Sequence, residues 1–244
     1  MTLAAQDLTL NGRLAGVSLA LQPGQVTAIC GPNGAGKSSL LGCLAGLLLP
    51  DRGAVTLDGG PLTALRPRTR AQAIGYLPQD GEVAWNLSVE TLVGLGRLPW
   101  RGSAEEDAVA VEAALGTLQL EPLRQRALSQ LSGGEKARAL LARVLAGTPR
   151  WVLADEPLAN LDLAHQQALL AQLRALAGQG LGVVLVLHDL AQAVNRADRV
   201  VVLERGRVAA EGAPGEALDA AVIERVWGVK ARWLGEPGGR ALVV

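Results

Sequence analysis

Short apolar runs alternate with longer amphipathic stretches along this chain. Four of the short runs are predicted strands, and the first of them is continuously apolar and ends at a glycine, which is typical of a strand buried on both faces of a parallel sheet. These predicted strands are Val26–Cys30, Ile74–Leu77, Trp151–Asp155 and Val183–His188. Two further patterns also predict β-structure. They are a strand with a turn at Val55–Gly60 and a hairpin that turns at Arg205-Gly206 within Val200–Val208.

The stretches between the apolar runs predict helices. Lys37–Leu48 has helical spacing of its apolar residues and stops before Pro50. The other predicted helices begin at Ser88, at the capping box Ser103–Glu106 and at Ser132, or span Leu163–Ala177 and Asp219–Trp227. This alternation predicts an α/β fold with a parallel sheet covered by helices. Residues 1–80 and 150–244 would form the core, and residues 81–149 would form an inserted helical subdomain.

Composition narrows the class of protein. The chain has 244 residues, 49% of them apolar, and 23 Lys and Arg residues balance 23 Asp and Glu residues. This balance gives no sign of nucleic-acid binding through bulk charge. The longest apolar runs fall far short of the roughly 20 residues that cross a bilayer, and the N-terminus shows no signal-peptide pattern. We therefore expect a cytoplasmic chain, unless a partner holds it at a membrane, with Cys30 and Cys43 as buried free thiols.

A glycine-rich segment after the first predicted parallel strand matches the phosphate-loop pattern G-x-x-x-x-G-K-[ST]. It consists of Gly31, Pro32, Asn33, Gly34, Ala35, Gly36, Lys37 and Ser38. Glycines let successive backbone N–H groups point at one phosphate, and the following helix adds its positive end. Lys37 would reach the β- and γ-phosphates and Ser38 would ligate Mg²⁺. The alternative is a glycine-rich turn with an incidental lysine.

Two carboxylates follow the predicted strand Trp151–Asp155. At the carboxyl edge of that strand, Asp155 can hold Mg²⁺ through water and Glu156 can orient an attacking water. An Asp-Glu pair in this position is otherwise the start of a solvated loop. Its interpretation therefore depends on the other motifs.

A second anion-binding segment is predicted at the start of the helix that begins at Ser132. It comprises Ser132, Gly133, Gly134 and Glu135. Ser132 and Glu135 have the spacing of an ordinary capping box. A serine, two glycines and a helix N-terminus also form a surface for an anion. Both interpretations can hold together.

This serine-glycine-glycine segment resembles the signature of the ABC ATPase family, and the resemblance covers almost the whole chain. It implies a P-loop NTPase core with an antiparallel β subdomain and a homodimer that holds ATP between one subunit's phosphate loop, Ser39 included, and the other's signature. In this resemblance Gln79 of Tyr76–Gln79 is the Q-loop residue that senses Mg²⁺ and water. Ala159–Asp162 is the D-loop, so that Asp162 joins the nucleotide site, and His188 is the switch histidine that contacts the γ-phosphate.

Three stretches resemble the ATPases that import ferric siderophores, haem and cobalamin. They are Leu92–Trp100, Leu161–Gln166, and the region from His188 to Val229. The resemblance implies a transmembrane permease, a periplasmic or surface substrate-binding protein, and a peripheral position on the cytoplasmic face of the inner membrane. It would also place Trp85 and Trp100 on the permease docking surface, unless both simply fill the core of the helical subdomain.

One departure from the family and one rival interpretation stay open. The family usually stacks an aromatic residue on adenine, but residues 7–17 contain none, so Arg13 or an aliphatic contact could replace it. The rival is a non-transport ABC ATPase, such as the iron–sulfur cluster assembly type, whose signature is similar. The segment Leu92–Trp100 favours the importer. A plain P-loop kinase would lack the signature at Ser132.

Overall fold

The structure, a computed structural model, describes residues 2–79, 85–159 and 161–244. Within these ranges the strands are β1 (Leu3–Leu10), β2 (Leu14–Leu21), β3 (Val26–Cys30), β4 (Arg52–Leu57), β5 (Gly60–Pro61), β6 (Ile74–Leu77), β7 (Trp151–Asp155), β8 (Gly182–Val186), β9 (Arg199–Glu204), β10 (Arg207–Gly212), β11 (Arg232–Leu234) and β12 (Ala241–Val243). The α-helices are α1 (Lys37–Leu44), α2 (Pro67–Ala73), α3 (Val89–Gly94), α4 (Ala104–Thr117), α5 (Gly133–Ala146), α6 (Leu163–Gly178), α7 (Leu190–Arg196), α8 (Pro214–Ala217) and α9 (Ala220–Trp227). Short 3-10 turns lie at Leu62–Ala64, Leu95–Arg97, Glu121–Leu123 and Leu128–Gln130.

A largely parallel sheet forms the centre of the molecule. Its strand order in the described residues is β10-β9-β3-β8-β7-β6, with β9, β3, β8, β7 and β6 parallel and β10 antiparallel at the edge. Side chains along β7 alternate between two separate hydrophobic cores, with Trp151 and Leu153 in one and Val152 and Ala154 in the other. Both faces are therefore covered, which explains why the strands are apolar throughout. The α/β prediction is confirmed.

Different layers cover the two faces of the sheet. On one face, α1 packs between the parallel sheet and a second, antiparallel sheet of order β2-β1-β4-β5. Trp151 is buried there and lies so close to Gly182 that a side-chain carbon at Gly182 would come within 2.3 Å of its ring. On the other face, α5 and α6 share one hydrophobic core with α3 and α4. The antiparallel β layer agrees with the predicted fold class.

The predicted helical insertion corresponds to α3, α4 and α5, which lie between β6 and β7. The Ser103–Glu106 capping box is present at the start of α4, and Ser132 and Glu135 form a second one at the start of α5. Its proposed beginning at residue 81 lies outside the described residues, and its boundaries stay predictions.

The helix predicted for Lys37–Leu48 is shorter in the structure. It ends at Leu44, because Gly46 adopts a φ of 68° and the amides of Leu47 and Leu48 both turn back to the carbonyl of Gly42. Strand β8 also ends earlier than predicted, at Val186, since the chain turns after His188 to let Asp189 cap α7. Several elements had no counterpart in the sequence prediction: the strands β1 and β2, the short helices α2, α7 and α8, and the hairpin β11–β12.

The cysteines agree with the expectation from the sequence. Cys30 and Cys43 are buried free thiols, and burial raises the pKa of Cys30 to about 12. No helix in the described ranges is long and apolar enough to cross a membrane.

Candidate functional site

The loop between β3 and α1 has a backbone that only glycine accepts easily. Gly31, Gly34 and Gly36 have φ values of 151°, 77° and 98°. A side-chain carbon would come within 2.2 Å of the Leu203 carbonyl at Gly31 and within 2.5 Å of the Arg13 carbonyl at Gly36. No side-chain hydrogen bond caps the N-terminus of α1 at Gly36. The loop therefore leaves the positive end of α1 available to an anion.

Lys37 lies inside this loop. Its Nζ donates to the carbonyl oxygens of Gly31 at 2.9 Å and Pro32 at 3.0 Å, and the side chain is only 6% exposed. Burial lowers the pKa of Lys37, while the negative charges of Glu156 and Asp155 act in the opposite direction. An ammonium held by two carbonyls can exchange them for phosphate oxygens, which are stronger partners.

Asp155 fits a cation site together with Ser38. Asp155 is 4% exposed, its carboxylate accepts a hydrogen bond from the Ser38 hydroxyl, and its Oδ1 is buried with no hydrogen-bond partner in the described part of the chain. Burial raises the pKa of Asp155, because the ionised form is poorly solvated there. A hard cation such as Mg²⁺ prefers hydroxyl, carboxylate and water oxygens. The two side chains therefore fit Mg²⁺.

Glu156 is the centre of a polar cluster at the carboxyl end of β7. Its backbone is left-handed, with a φ of 49°, which is a strained conformation for a residue other than glycine. Its Oε2 accepts a hydrogen bond from Gln79 Nε2 at 2.8 Å, and its Oε1 is in direct contact with Nε2 of His188. The structure thus brings together the three residues predicted to be catalytic.

The phosphate loop and this polar cluster line one cavity of about 730 Å³. Its lining residues are Gly12, Arg13, Asn33, Gly34, Ala35, Gly36, Lys37, Ser38, Ser39, Gln79, Glu156 and His188. Arg13 was one of the two alternatives for the missing adenine-stacking side chain, and it does lie at this cavity. Gly12 was not predicted. Gly12 belongs to none of the motifs, so the sequence carried no signal for it.

The second predicted anion-binding segment does not reach this cavity. Ser132 Oγ accepts from the Glu135 amide at 3.3 Å, and Glu135 Oε2 accepts from the Ser132 amide at 2.8 Å. The bond from the Ser132 backbone is the largest factor that lowers the pKa of Glu135. Ser132 and Gly133 are exposed. The capping box is therefore present, and its serine and first glycine face solvent rather than the chain's own phosphate loop.

Asp162 also lies away from the cavity, at the start of α6. Its Oδ1 accepts from the backbone amide of His165 at 2.9 Å and lies 2.7 Å from Nδ1 of the same histidine. The bond from the His165 backbone is the largest factor that lowers the pKa of Asp162. Asn160, the second residue of the predicted D-loop, lies outside the described residues. The imidazole of His165 also packs against Gly134, a contact that sequence analysis did not predict.

Comparison with known proteins gives consistent matches. The family model described as ABC transporter matches residues 14–159. The hemin import ATP-binding protein HmuV of Myxococcus xanthus is 42% identical over 240 residues, which cover 93% of this chain and 90% of that protein.

Two solved structures extend the comparison to the fold. An ABC transporter of the metal-chelate type in an inward-facing conformation has a TM-score of 0.85 and 26% identity, and covers 99% of this chain and 95% of the matched chain. The ATP-binding cassette MJ0796, described as dimeric in a post-hydrolysis state with ADP and Pi, has a TM-score of 0.78 and 28% identity, and covers 87% and 98% of the two chains.

Proposed function

Because this chain belongs to the ABC transporter family and is an ATPase of that family, we propose that it powers the import of haem or a related metal chelate through a separate transmembrane permease. The observation that carries the ATPase part is the convergence of the phosphate loop with Glu156, Gln79 and His188 on one cavity. The similarity to hemin import proteins supports the cargo class.

The residues of the cavity have distinct roles in this proposal. Lys37 leaves the loop carbonyls and binds the β- and γ-phosphates of ATP. Ser38 and Asp155 hold Mg²⁺, which when bound neutralises charge on the phosphates. Glu156 orients the attacking water and accepts its proton, while His188 and Gln79 fix the carboxylate of Glu156 on both oxygens.

A second copy of the chain completes the active site in this proposal. Ser132 and Gly133 are exposed at the N-terminus of α5, where backbone N–H groups favour an anion. They do not line their own chain's cavity, so they are free to close over the γ-phosphate of a partner. Asp162 would join the same interface. The dimer described for MJ0796 with ADP and Pi supports this arrangement.

We propose that residues 85–100, here called the helical segment, form the docking surface for the permease. Trp85 is 72% exposed and Leu98 is 70% exposed, which makes both available to a partner. Trp100 instead donates from Nε1 to the Gly147 carbonyl at 2.9 Å and lies under the guanidinium of Arg97. Trp100 therefore helps to hold the segment together, and Trp85 is the better candidate for contact.

The cargo itself would be selected by the permease and a periplasmic or surface substrate-binding protein. Haem is the cargo favoured by the relatives, and ferric siderophores and cobalamin are the other members of the proposed class. In this role the chain would lie on the cytoplasmic face of the inner membrane as a peripheral subunit.

The test is an affinity pull-down of the tagged Glu156→Gln chain from detergent-solubilised membranes of its own source. We expect a polytopic permease to copurify. The ATPase activity of the wild-type chain, reconstituted with that permease, should rise with a haem-loaded binding protein. Stimulation by a ferric siderophore or cobalamin, but not by haem, would reassign the cargo. Recovery of soluble iron–sulfur assembly proteins alone would contradict the transport role.

A further inference from the structure

Gln166 lies in the first turn of α6, at the end of the stretch Leu161–Gln166. None of the motifs gives this residue a role. Its Nε2 donates to the carbonyl of Leu161 at 3.0 Å and more weakly to that of Leu158 at 3.3 Å. These two carbonyls belong to the segment that connects Glu156 with Asp162. One side-chain amide therefore binds this connecting segment at two points.

Two backbone hydrogen bonds join described residues of the connecting segment. The amide of Ala159 donates to the carbonyl of Glu156 at 3.1 Å, and the amide of Leu161 donates to that of Leu158 at 3.3 Å. Because turns have few internal bonds, their geometry depends on what holds them from outside. Gln166 supplies that support at Leu158 and Leu161, shortly after Glu156, whose backbone is strained.

The other end of the same amide group reaches α7. Gln166 Oε1 accepts a hydrogen bond from Gln192 Nε2 at 2.7 Å. Gln192 lies in the first turn of α7, where its backbone amide donates to Asp189, the residue that follows His188. The Gln166–Gln192 bond thus connects the segment after Glu156 to the helix after His188.

Both glutamines line a cavity of about 180 Å³ that Glu156 and His188 also line. The titratable groups that line this cavity are Glu156, His188 and Asp189, and apart from the two glutamines its other lining residues are apolar. Gln166 therefore lies next to Glu156 and His188 at a cavity that no residue of the phosphate loop lines.

We propose that Gln166 is a positioning residue for ATP hydrolysis: its amide fixes the segment after Glu156 against α7 and so keeps the Glu156 carboxylate in contact with His188. Gln166 touches neither nucleotide nor water in this role and acts only through the position of Glu156. The inference rests on the proposed roles of Glu156 and His188.

The test is the near-isosteric variant Gln166→Glu in the full chain. An ionised carboxylate offers no N–H group to the carbonyls of Leu158 and Leu161, so both bonds are lost and replaced by repulsion. We expect kcat for ATP hydrolysis to fall about tenfold, because positioning is lost, while KM for ATP changes less than about twofold. Gln167→Glu is the matched control, since Gln167 Oε1 only accepts a bond, from Arg196, and a carboxylate preserves it.

The pH profile separates positioning from a general loss of structure. A protonated carboxyl at position 166 regains one donor, so the Gln166→Glu variant should recover activity relative to wild type as the pH falls. The Gln167→Glu variant should follow the wild-type profile. If Gln166→Glu melts far below wild type, Gln192→Ala provides the test, with a smaller fall in kcat because Gln166 keeps its bonds to the two carbonyls.

The outcomes distinguish this inference from the proposed function. A Gln166→Glu variant with wild-type kcat, in a preparation whose wild-type chain hydrolyses ATP, overturns the positioning role alone. An equal fall in kcat for Gln166→Glu and Gln167→Glu also overturns it, since the effect is then one of charge. A wild-type chain that binds ATP but never hydrolyses it overturns both proposals.

Discussion

His165 and Gly134 are in direct contact across two helices, so that a side-chain carbon at Gly134 would lie 2.5 Å from Cδ2 of the imidazole. Gly134 belongs to the first turn of α5, and His165 to the first turn of α6. His165 also bonds Asp162 through both its backbone amide and its ring. The absence of a side chain at Gly134 therefore lets the start of α5 approach the start of α6.

This contact predicts that Gly134→Ala destabilises the chain through His165. The methyl group forces the imidazole away, at a cost of about 1–2 kcal/mol in the free energy of unfolding. Urea denaturation would measure it. His165→Ala removes the obstruction, so the Gly134→Ala/His165→Ala double variant should be more stable than the sum of the two single effects predicts. Additive losses would show that the two residues are not coupled.

Lys37→Ala should abolish tight ATP binding. The ammonium is held inside the phosphate loop and is the only lysine that lines the described cavity. Loss of its charge-assisted bonds should raise Kd for ATP by about a hundredfold. Nucleotide titration by calorimetry measures this change. Lys230→Ala, an exposed position near the C-terminal end of the chain, serves as the control and should bind ATP as wild type does.

Glu156→Gln should keep ATP bound but stop its hydrolysis. The amide preserves the size of the side chain but has no carboxylate to accept a proton from water, so kcat should fall by at least about a hundredfold. Size-exclusion chromatography with ATP should then show a lasting dimer. Rapid turnover by this variant would remove Glu156 from its assigned role.

Asp155→Asn should make the chain without nucleotide more stable at neutral pH. Burial raises the pKa of Asp155 in the native state, so ionising this carboxyl lowers the free energy of unfolding. This loss of stability is absent at a pH below the pKa of the unfolded chain and complete at a pH above the raised native pKa. Replacing the charged carboxylate by a neutral amide should raise the free energy of unfolding by about 1 kcal/mol at pH 7. This corresponds to a rise of a few degrees in Tm. The gain should disappear as the pH falls through that window.

Addition of Mg²⁺ and ATP supplies the control for Asp155. Mg²⁺ and ATP together should raise the Tm of the wild-type chain, because a ligand that binds only the native state stabilises that state. Asp155→Asn should gain less, since one cation ligand is gone. Equal gains in both chains would contradict the assignment of Asp155 to the cation site.

The central strands could be predicted from the sequence because their signals are local, and the candidate catalytic residues came largely from the resemblance to the ABC ATPases. A strand buried on both faces must be apolar throughout, as Trp151–Asp155 is, and glycines at positive φ must fill the phosphate loop. Gln79, Glu156 and His188 follow the carboxyl ends of β6, β7 and β8, which a parallel sheet brings to one edge. Because β8, β7 and β6 are neighbours in the sheet, the three residues that follow them lie near one another.

The contacts between helices left no comparable signal. Gln166 and Gln192 are 26 residues apart, and their bond depends on how α6 and α7 pack. The fit of His165 against Gly134 likewise depends on the angle between two helices. Strand β1, which lies between β2 and β4, was missed for a different reason, since register shifts interrupt its pairing and weaken the alternation of its side chains.

The burial of Trp151 makes the chain's own fluorescence a selective reporter. Trp151 is 1% exposed within the sheet, whereas Trp85 is 72% exposed at the helical segment. A quencher dissolved in water reaches the indole of Trp85 freely and that of Trp151 only when the sheet opens. The chain has three further tryptophans, Trp100, Trp227 and Trp233. With these replaced by phenylalanine, quenching that changes with nucleotide reports movement or covering of the segment around Trp85, and the fraction that resists quenching measures how much of the sheet stays folded.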